Sequence, residues 1–244
     1  MHRFFLPKAF SPVMTITGMD AHHIKDVLRL QAGDQVQVVA DDGITALGTI
    51  TAVTTGSISL ACTRLETGSH EPRVRLALAQ GLAKGEKMEW VIQKAVELGA
   101  SIIYPVAMRH AVVQLDAAQA AKKVQRWQKI AETAAKQCKR DLVPKVAPVQ
   151  TLGEVLQADA SQIKLLAYES EQQVSLKAVL EAHSDVTSVL VIIGPEGGLA
   201  ETEVEAATAA GAISVSLGRR ILRTETAGMV ALAAILYASG DLGL

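Results

Sequence analysis

The sequence predicts an α/β protein in two parts: a small β-barrel over residues 1–70 and a larger α/β domain on a parallel sheet over residues 73–244. Short apolar runs separated by turn residues crowd the first part. From Val74 onward, β-like runs alternate with helical ones, the mark of a parallel sheet with crossover helices. Late in the chain, two apolar runs end in glycine-containing turns that carry charged groups. That pattern describes a ligand pocket at the carboxyl ends of parallel strands.

Taken in order, Val36–Ala40 and Ala46–Val53 flank Asp41-Asp42-Gly43, a strong hairpin signal, and Ser57–Cys62 adds another alternating run. Ahead of them, Asp20 is expected to cap a helix that runs through Leu30, with Gly33 just past its end. This helix carries His22, His23, Lys25 and Arg29, which standing alone read as a solvated face. The composition shifts over Thr67–Pro72 (TGSHEP), as a linker would.

Val74–Leu82 is the first expected strand of the second part. Glu86–Leu98 follows as a helix with Met88, Val91, Ile92, Ala95 and Leu98 at helical spacing, ended by Gly99. Lys94 and Glu97, three apart, suit a surface ion pair. Ile102–Val106 is the next strand, and Asp116–Asp141 a long helix without Gly or Pro. Between Lys122 and Lys145 stand eight Lys or Arg residues against only Glu132 and Asp141. So one-sided a run in a chain of net charge −1 points to a polyanion partner, although cations on a helix can also be a plain solvated face. Lys164–Tyr168 and Val189–Ile193 are expected strands, and Ser175–Ala182 and Glu201–Ala210 expected helices. Ala227–Ala238 is apolar nearly all round, so it has to be buried in the core or against another subunit.

The two late turns carry the chemistry. In Val189–Leu199 (VLVIIGPEGGL), a doubly buried strand breaks at Gly194-Pro195, places Glu196 in the turn, and passes Gly197-Gly198. In Val215–Gly228 (VSLGRRILRTETAG), a short apolar run turns at Gly218, then brings Arg219, Arg220, Arg223 and Glu225 before an apolar helix. Neither turn fits a G-x-G-x-x-G or P-loop spacing, which disfavours a nucleotide phosphate cradle and a Rossmann-type methyltransferase. No G-x-S-x-G elbow or metal-ligand cluster is present, so a hydrolase or metalloenzyme is not indicated. At 3% aromatic residues, the chain lacks stacking platforms for single strands. Cys62 and Cys138 form no C-x-x-C and read as reduced thiols. With no signal peptide and no apolar run of membrane-spanning length, a cytoplasmic protein is expected.

IIGPEGGL followed by LGRRILRTETAG resembles the RsmE family, bacterial enzymes that methylate N3 of a uridine in 16S ribosomal RNA. The likeness extends to HHIKDVLRLQAGD, KGEKMEWVIQKAVELG and AKQCKRDLVP, and so over nearly the whole chain. It implies a trefoil-knotted SPOUT methyltransferase domain behind a PUA-like barrel, acting as a homodimer on the small ribosomal subunit. It implies S-adenosylmethionine held by Leu166, Ile193, Gly194, Pro195, Glu196, Gly197, Leu217, Gly218, Ile221, Leu222, Thr224 and Ala227. Arg223 and Glu225 are the implied catalytic residues. Glu225 would act as a base or an anchor. Arg223 would stabilise a developing uridylate or bind a phosphate. Glu196 serves either the cofactor or a helix cap. Arg3, His22, Lys25, Arg29, Lys84, Arg109, Gln137 and Arg140 are the implied RNA contacts, and Arg219 stands where relatives often carry Pro. The alternative is a non-catalytic RNA-binding assembly factor.

Overall fold

The computed structural model describes residues 1–65 and 69–243. Of the expected linker, Thr67 and Gly68 lie outside the described residues, as does Leu244. The chain divides into two compact units: Met1–Glu71 with Ala135–Val143, and Pro72–Ala134 with Pro144–Leu244.

In the first unit, the expected barrel takes the form of a five-stranded sheet in the order β1-β3-β4-β5-β2. The strands are β1 (Arg3–Leu6), β2 (Val13–Thr17), β3 (Gln35–Ala40), β4 (Thr45–Val53) and β5 (Ser57–Arg64). β1 pairs parallel to β3, and the other pairs are antiparallel. Alternation sorts the side chains: Met14 and Ile16 of β2 are buried while Val13, Thr15 and Thr17 face out. Phe4, Val36, Val38, Ile50, Ile58 and Leu60 close the core together with Ala21 and Ile24. At the hairpin, Gly43 adopts φ +78°, and Asp42 accepts hydrogen bonds from the backbone N–H of Ile44 (3.2 Å) and Phe10 (3.0 Å).

The helix departs from expectation at both ends. α1 (Gly18–His22) starts after Thr17 without a side-chain cap, and Asp20 instead binds Lys136 at 3.0 Å. It continues as a π-turn over His23–Val27, and the chain reverses at Arg29 (φ +54°), before Gly33 is reached. The reversal lets both Leu28 and Leu30 pack back onto the core, which an uninterrupted helix would prevent.

Ala135–Val143 is tied into this unit by charge. Arg140, 3% exposed, is held by Glu71 through Nε (2.8 Å) and Nη2 (2.5 Å). Asp141 accepts from Arg3 Nη2 (2.6 Å) and from the His70 backbone N–H (2.6 Å). Burial pushes the Asp141 carboxyl up, but the bonds from His70 and Arg3 outweigh it and hold the group below the usual carboxylate range. A depressed carboxyl contributes stability above its unfolded value, near pH 4, and loses it as pH falls through the lower folded value. Asp141→Asn is therefore expected to cost about 1.5–3 kcal/mol at neutral pH. In thermal denaturation, its deficit against the parent should shrink on acidification through that window.

The second unit is built on a parallel sheet in the order β12-β10-β11-β6-β7-β8, with β9 also on β7. β6 (Arg75–Gly81), β10 (Ile163–Ala167) and β11 (Ser188–Ile193) form its centre, with β12 (Ala212–Val215) at one edge. β7 (Ala100–Ala107), β8 (Lys145–Val146) and β9 (Gln150–Thr151) form the other side. Val189 to Ile193 are all buried, which explains the unbroken apolar run in β11. The helices are α2 (Lys87–Glu97), α3 (Ala117–Gln137), α4 (Leu152–Ala158), α5 (Leu176–Ala182), α6 (Glu201–Ala209) and α7 (Thr224–Ala238). α3 stops at Gln137 rather than Asp141, and Lys139 (φ +62°) turns the chain. α4 has no counterpart in the sequence reading, although Thr151 and Glu154 form a capping box at its start. α7 packs on α2, α5, β6 and β11, burying Ala227, Gly228, Ala231, Leu232, Ile235 and Leu236.

Candidate active site

β10, β11 and β12 run parallel and adjacent, and each gives way to a loop at the same end. Those loops enclose a cavity of about 550 Å³, within the range of small-molecule sites. β10 contributes Ala167, Tyr168 and Glu169; the turn after β11 contributes Ile193 to Gly198; the loop after β12 contributes Ser216 to Arg223. Thr224, Glu225 and Ala227 of α7 and Lys87 of α2 complete it.

A buried relay locks the two glycine turns together. Gln80 of β6, with no exposed surface, donates from Nε2 to Thr224 Oγ1 at 2.7 Å. The Thr224 hydroxyl donates in turn to the Gly194 carbonyl at 2.5 Å. Thr224→Val keeps the shape but removes the acceptor of one Gln80 amide bond, leaving that amide only the Gly81 carbonyl at 3.2 Å, and removes the donor to the Gly194 carbonyl. It is expected to cost about 1–3 kcal/mol of stability. Thr224→Ser should recover most of it, and thermal denaturation checks both.

The glycines are set by close approach. A Cβ on Gly197 would lie 2.7 Å from the His110 carbonyl oxygen, and one on Gly198 (φ +74°) would lie 2.7 Å from Glu169 Oε1. Gly218 sits at φ +114°, a conformation that L side chains rarely adopt.

One cation stands between two carboxylates at the mouth. Lys87 Nζ is 3.1 Å from Glu196 Oε1 and 3.5 Å from Glu225 Oε2. Glu196 Oε1 also accepts from the Lys84 backbone N–H at 3.0 Å. Burial pushes the Glu196 carboxyl up, yet the bonds from Lys84, its own backbone and Lys87 hold it below its ordinary value. The hydrogen bond to Glu196 in turn raises the Lys87 ammonium, against the opposing effect of burial. Arg219, Arg220 and Arg223 are exposed on the rim.

Eleven of the twelve residues expected to hold the cofactor line this cavity. Leu166 does not. It is wholly buried and packs in the core with Leu190 and Ile192, while Ala167 and Tyr168, at and just past the carboxyl end of β10, border the cavity. Ile221 borders the cavity and is 86% exposed. Arg223 and Glu225 both line the cavity. The sequence reading missed Lys87, Tyr168, Glu169, Ser216 and the supporting Gln80. Glu169 was within reach of the rule that ligands bind beyond the carboxyl ends of parallel strands.

Two of the residues expected to contact RNA are buried and paired within the first unit. Arg3, 5% exposed, is committed to Asp141, Thr45 and Gln37, and Arg140 to Glu71. Both guanidinium groups are buried against a carboxylate. In the first unit, Lys25 and Arg29 border a shallow depression with Leu30, Gln31, Ala32 and Val53. His22 is exposed but 2.6 Å from Asp26, and Gln137 is exposed. In the second unit, the Lys84 and Arg109 side chains are exposed, and the Arg109 backbone N–H donates to Glu203 at 2.8 Å. Arg126 of the basic helix is paired with Glu89 at 2.8 Å.

Residues 70–236 match the RNA methyltransferase domain family, and residues 16–61 the RNA methyltransferase PUA domain. The chain is 38% identical over 232 residues to ribosomal RNA small subunit methyltransferase E of Bacillus subtilis (strain 168), covering 93% of this chain and 91% of that one. The chain belongs to the RsmE family. A solved RsmE from Neisseria gonorrhoeae, bound to S-adenosyl methionine, superposes with a TM-score of 0.86 at 32% identity, over 97% of each chain. A methyltransferase from Legionella pneumophila, solved with bound SAM, gives 0.86 at 30% identity, again over 97% of each. These matches bear out the expected fold, a SPOUT-class α/β domain with an N-terminal PUA-like domain, and the RsmE family is S-adenosylmethionine-dependent.

The cavity fits that cofactor by its own chemistry. Ile193, Pro195, Leu217, Leu222 and Ala227 supply apolar wall, while Glu169, Glu196 and Glu225 supply negative charge for a sulfonium. At Gly218, where nothing lies within 4 Å of the place a Cβ would take, the backbone of the second turn is open to a ligand's hydrogen-bonding edge.

Proposed function

We propose that this protein transfers the methyl group of S-adenosylmethionine to N3 of a uridine in 16S ribosomal RNA, on the assembled small subunit. The observation that carries the reading is the cavity where both glycine turns meet beneath three arginines. The bound cofactor supplies an activated methyl and a good leaving group, so the protein's work is orientation and charge management. N3 is a weakly acidic imide that must lose its proton to become nucleophilic. Glu225, half-buried in the first turn of α7, is the group positioned to accept that proton or to anchor the base. Arg223, exposed on the rim with no side-chain partner among the described residues, stabilises the developing uridylate. Arg219 and Arg220 face solvent beside it and suit phosphate.

In the first unit, Lys25 and Arg29 are the groups best placed to grip RNA. The target base is unpaired, because N3–H of a paired uridine is engaged in the base pair and sequence-specific RNA recognition takes splayed, unstacked bases. We assign the active form as a homodimer related by a two-fold axis, with Val230 and Tyr237 exposed on the otherwise apolar α7. The trefoil knot is part of the same reading, supported by the chain passing from β11 to β12 at the far edge and returning as α7 against α2 and β6. A cytoplasmic location follows from the substrate; among the described residues, no helix is long and apolar enough to cross a membrane.

Methyl transfer from labelled S-adenosylmethionine to small subunits that lack the modification, with the product nucleoside identified, tests the reading. The expected product is 3-methyluridine in 16S RNA. Cofactor binding without transfer would instead indicate an RNA-binding assembly factor.

A further inference from the structure

Three separate elements bring charge to one point at the mouth of the cavity. Lys87 opens α2, Glu196 lies in the turn after β11, and Glu225 lies in the first turn of α7. The side chains are 36%, 26% and 18% exposed, so the cluster is partly withdrawn from water. Two carboxylates share one ammonium, with Nζ 3.1 Å from Glu196 and 3.5 Å from Glu225. The sharing is unequal. Glu196 has a hydrogen bond from Lys87 and a second from the Lys84 backbone N–H, whereas Glu225 Oε2 is buried and has no hydrogen bond among the described residues. Lys87 is thus the near cation that offsets the buried end of Glu225, and it does so while tethered to the first glycine turn.

We propose that Lys87 is a positioning residue for methyl transfer, holding the Glu225 carboxylate in register with the Glu196 turn. This rests on the functional reading above and names a residue of the same site. Without the ammonium, two carboxylates at the mouth face each other with no shared counter-charge. Glu225 is then free to leave its place, because α7 fixes its backbone but not its side chain. A flexible neutral chain at position 87 fills space without restoring that tether. The cofactor's apolar wall and the Gln80–Thr224–Gly194 relay do not involve Lys87, so cofactor affinity is expected to survive its loss.

The test compares the parent with Lys87→Met, Lys87→Arg, Glu225→Gln and the double variant Lys87→Met/Glu225→Gln. S-adenosylmethionine affinity is measured by calorimetry, and kcat and KM on small subunits lacking the modification. Lys87→Met is expected to lower kcat about 10- to 100-fold, the scale of a misplaced catalytic group. Its cofactor Kd should stay within about threefold of the parent, since the tether acts on orientation rather than binding. Lys87→Arg should recover most of kcat. The double variant should be no slower than Glu225→Gln alone, because both changes act through one carboxylate. Parent-like kcat in Lys87→Met, a loss confined to Kd or KM, or additive losses in the double variant would each overturn the proposal. A parent that binds the cofactor but transfers no methyl overturns the functional reading itself, and this inference with it.

Discussion

Arg223→Ala is expected to lower kcat for methyl transfer to small subunits by about 100-fold, ~2.7 kcal/mol of transition-state stabilisation, and to leave cofactor Kd within about threefold. The asymmetry follows from where Arg223 sits. It caps α7 with extended backbone (φ −65°, ψ 151°), lines the cavity and is exposed, with no ion pair or side-chain hydrogen bond among the described residues. Removing it breaks nothing in the fold, so the loss belongs to the reaction. On the proposed mechanism, a guanidinium with no side-chain partner among the described residues meets charge that develops only as N3 of the uridine is deprotonated. Turnover at the parent's rate would remove Arg223 from the mechanism. A loss confined to KM for the subunit would assign it to phosphate binding instead.

Gly81→Ala should cost about 1–3 kcal/mol of stability, as overpacking does, and weaken S-adenosylmethionine binding at least about tenfold. Gly81 ends β6, and a Cβ there would lie 2.5 Å from the Pro195 nitrogen, 2.8 Å from Pro195 Cδ and 2.9 Å from the Gly194 carbonyl carbon. These are backbone and ring atoms of the first glycine turn, not the tip of a flexible side chain. Relief therefore comes only by moving the turn itself. Thermal denaturation and calorimetry measure the two effects. Gly56→Ala, where a Cβ meets nothing within 4 Å, serves as the control. Unchanged cofactor affinity in Gly81→Ala would show that the turn tolerates displacement.

The strongest local patterns were legible in the chain. Val189–Ile193 could be read as a doubly buried strand because apolar periodicity reports burial directly, and Gly194-Pro195 marked its end. Leu166 shows the limit of that reasoning. The strand was found, but which of its side chains reach the cavity depends on pairing with β11 and β12, which no single run contains. α4 escaped because seven residues with Gly153 inside give too little periodicity to count. Asp20 was read as a cap because it precedes apolar residues; its carboxylate went instead to Lys136, more than a hundred residues away in sequence. The basic stretch from Lys122 to Lys145 overstated the free charge for the same reason, since Arg126, Lys136 and Arg140 each pair with a distant carboxylate.

By itself the sequence determined the two-part α/β layout, the strands that end in glycine turns and the family to which those turns belong. Backbone conformation and burial along a short run follow from the residues in that run. Only the tertiary structure decided which charges are spent in pairs, that Gly81 must stay bare beneath Pro195, and that Lys87 stands between Glu196 and Glu225. Each of these is a distance between residues far apart along the chain, and such a distance is fixed by the packing of whole elements.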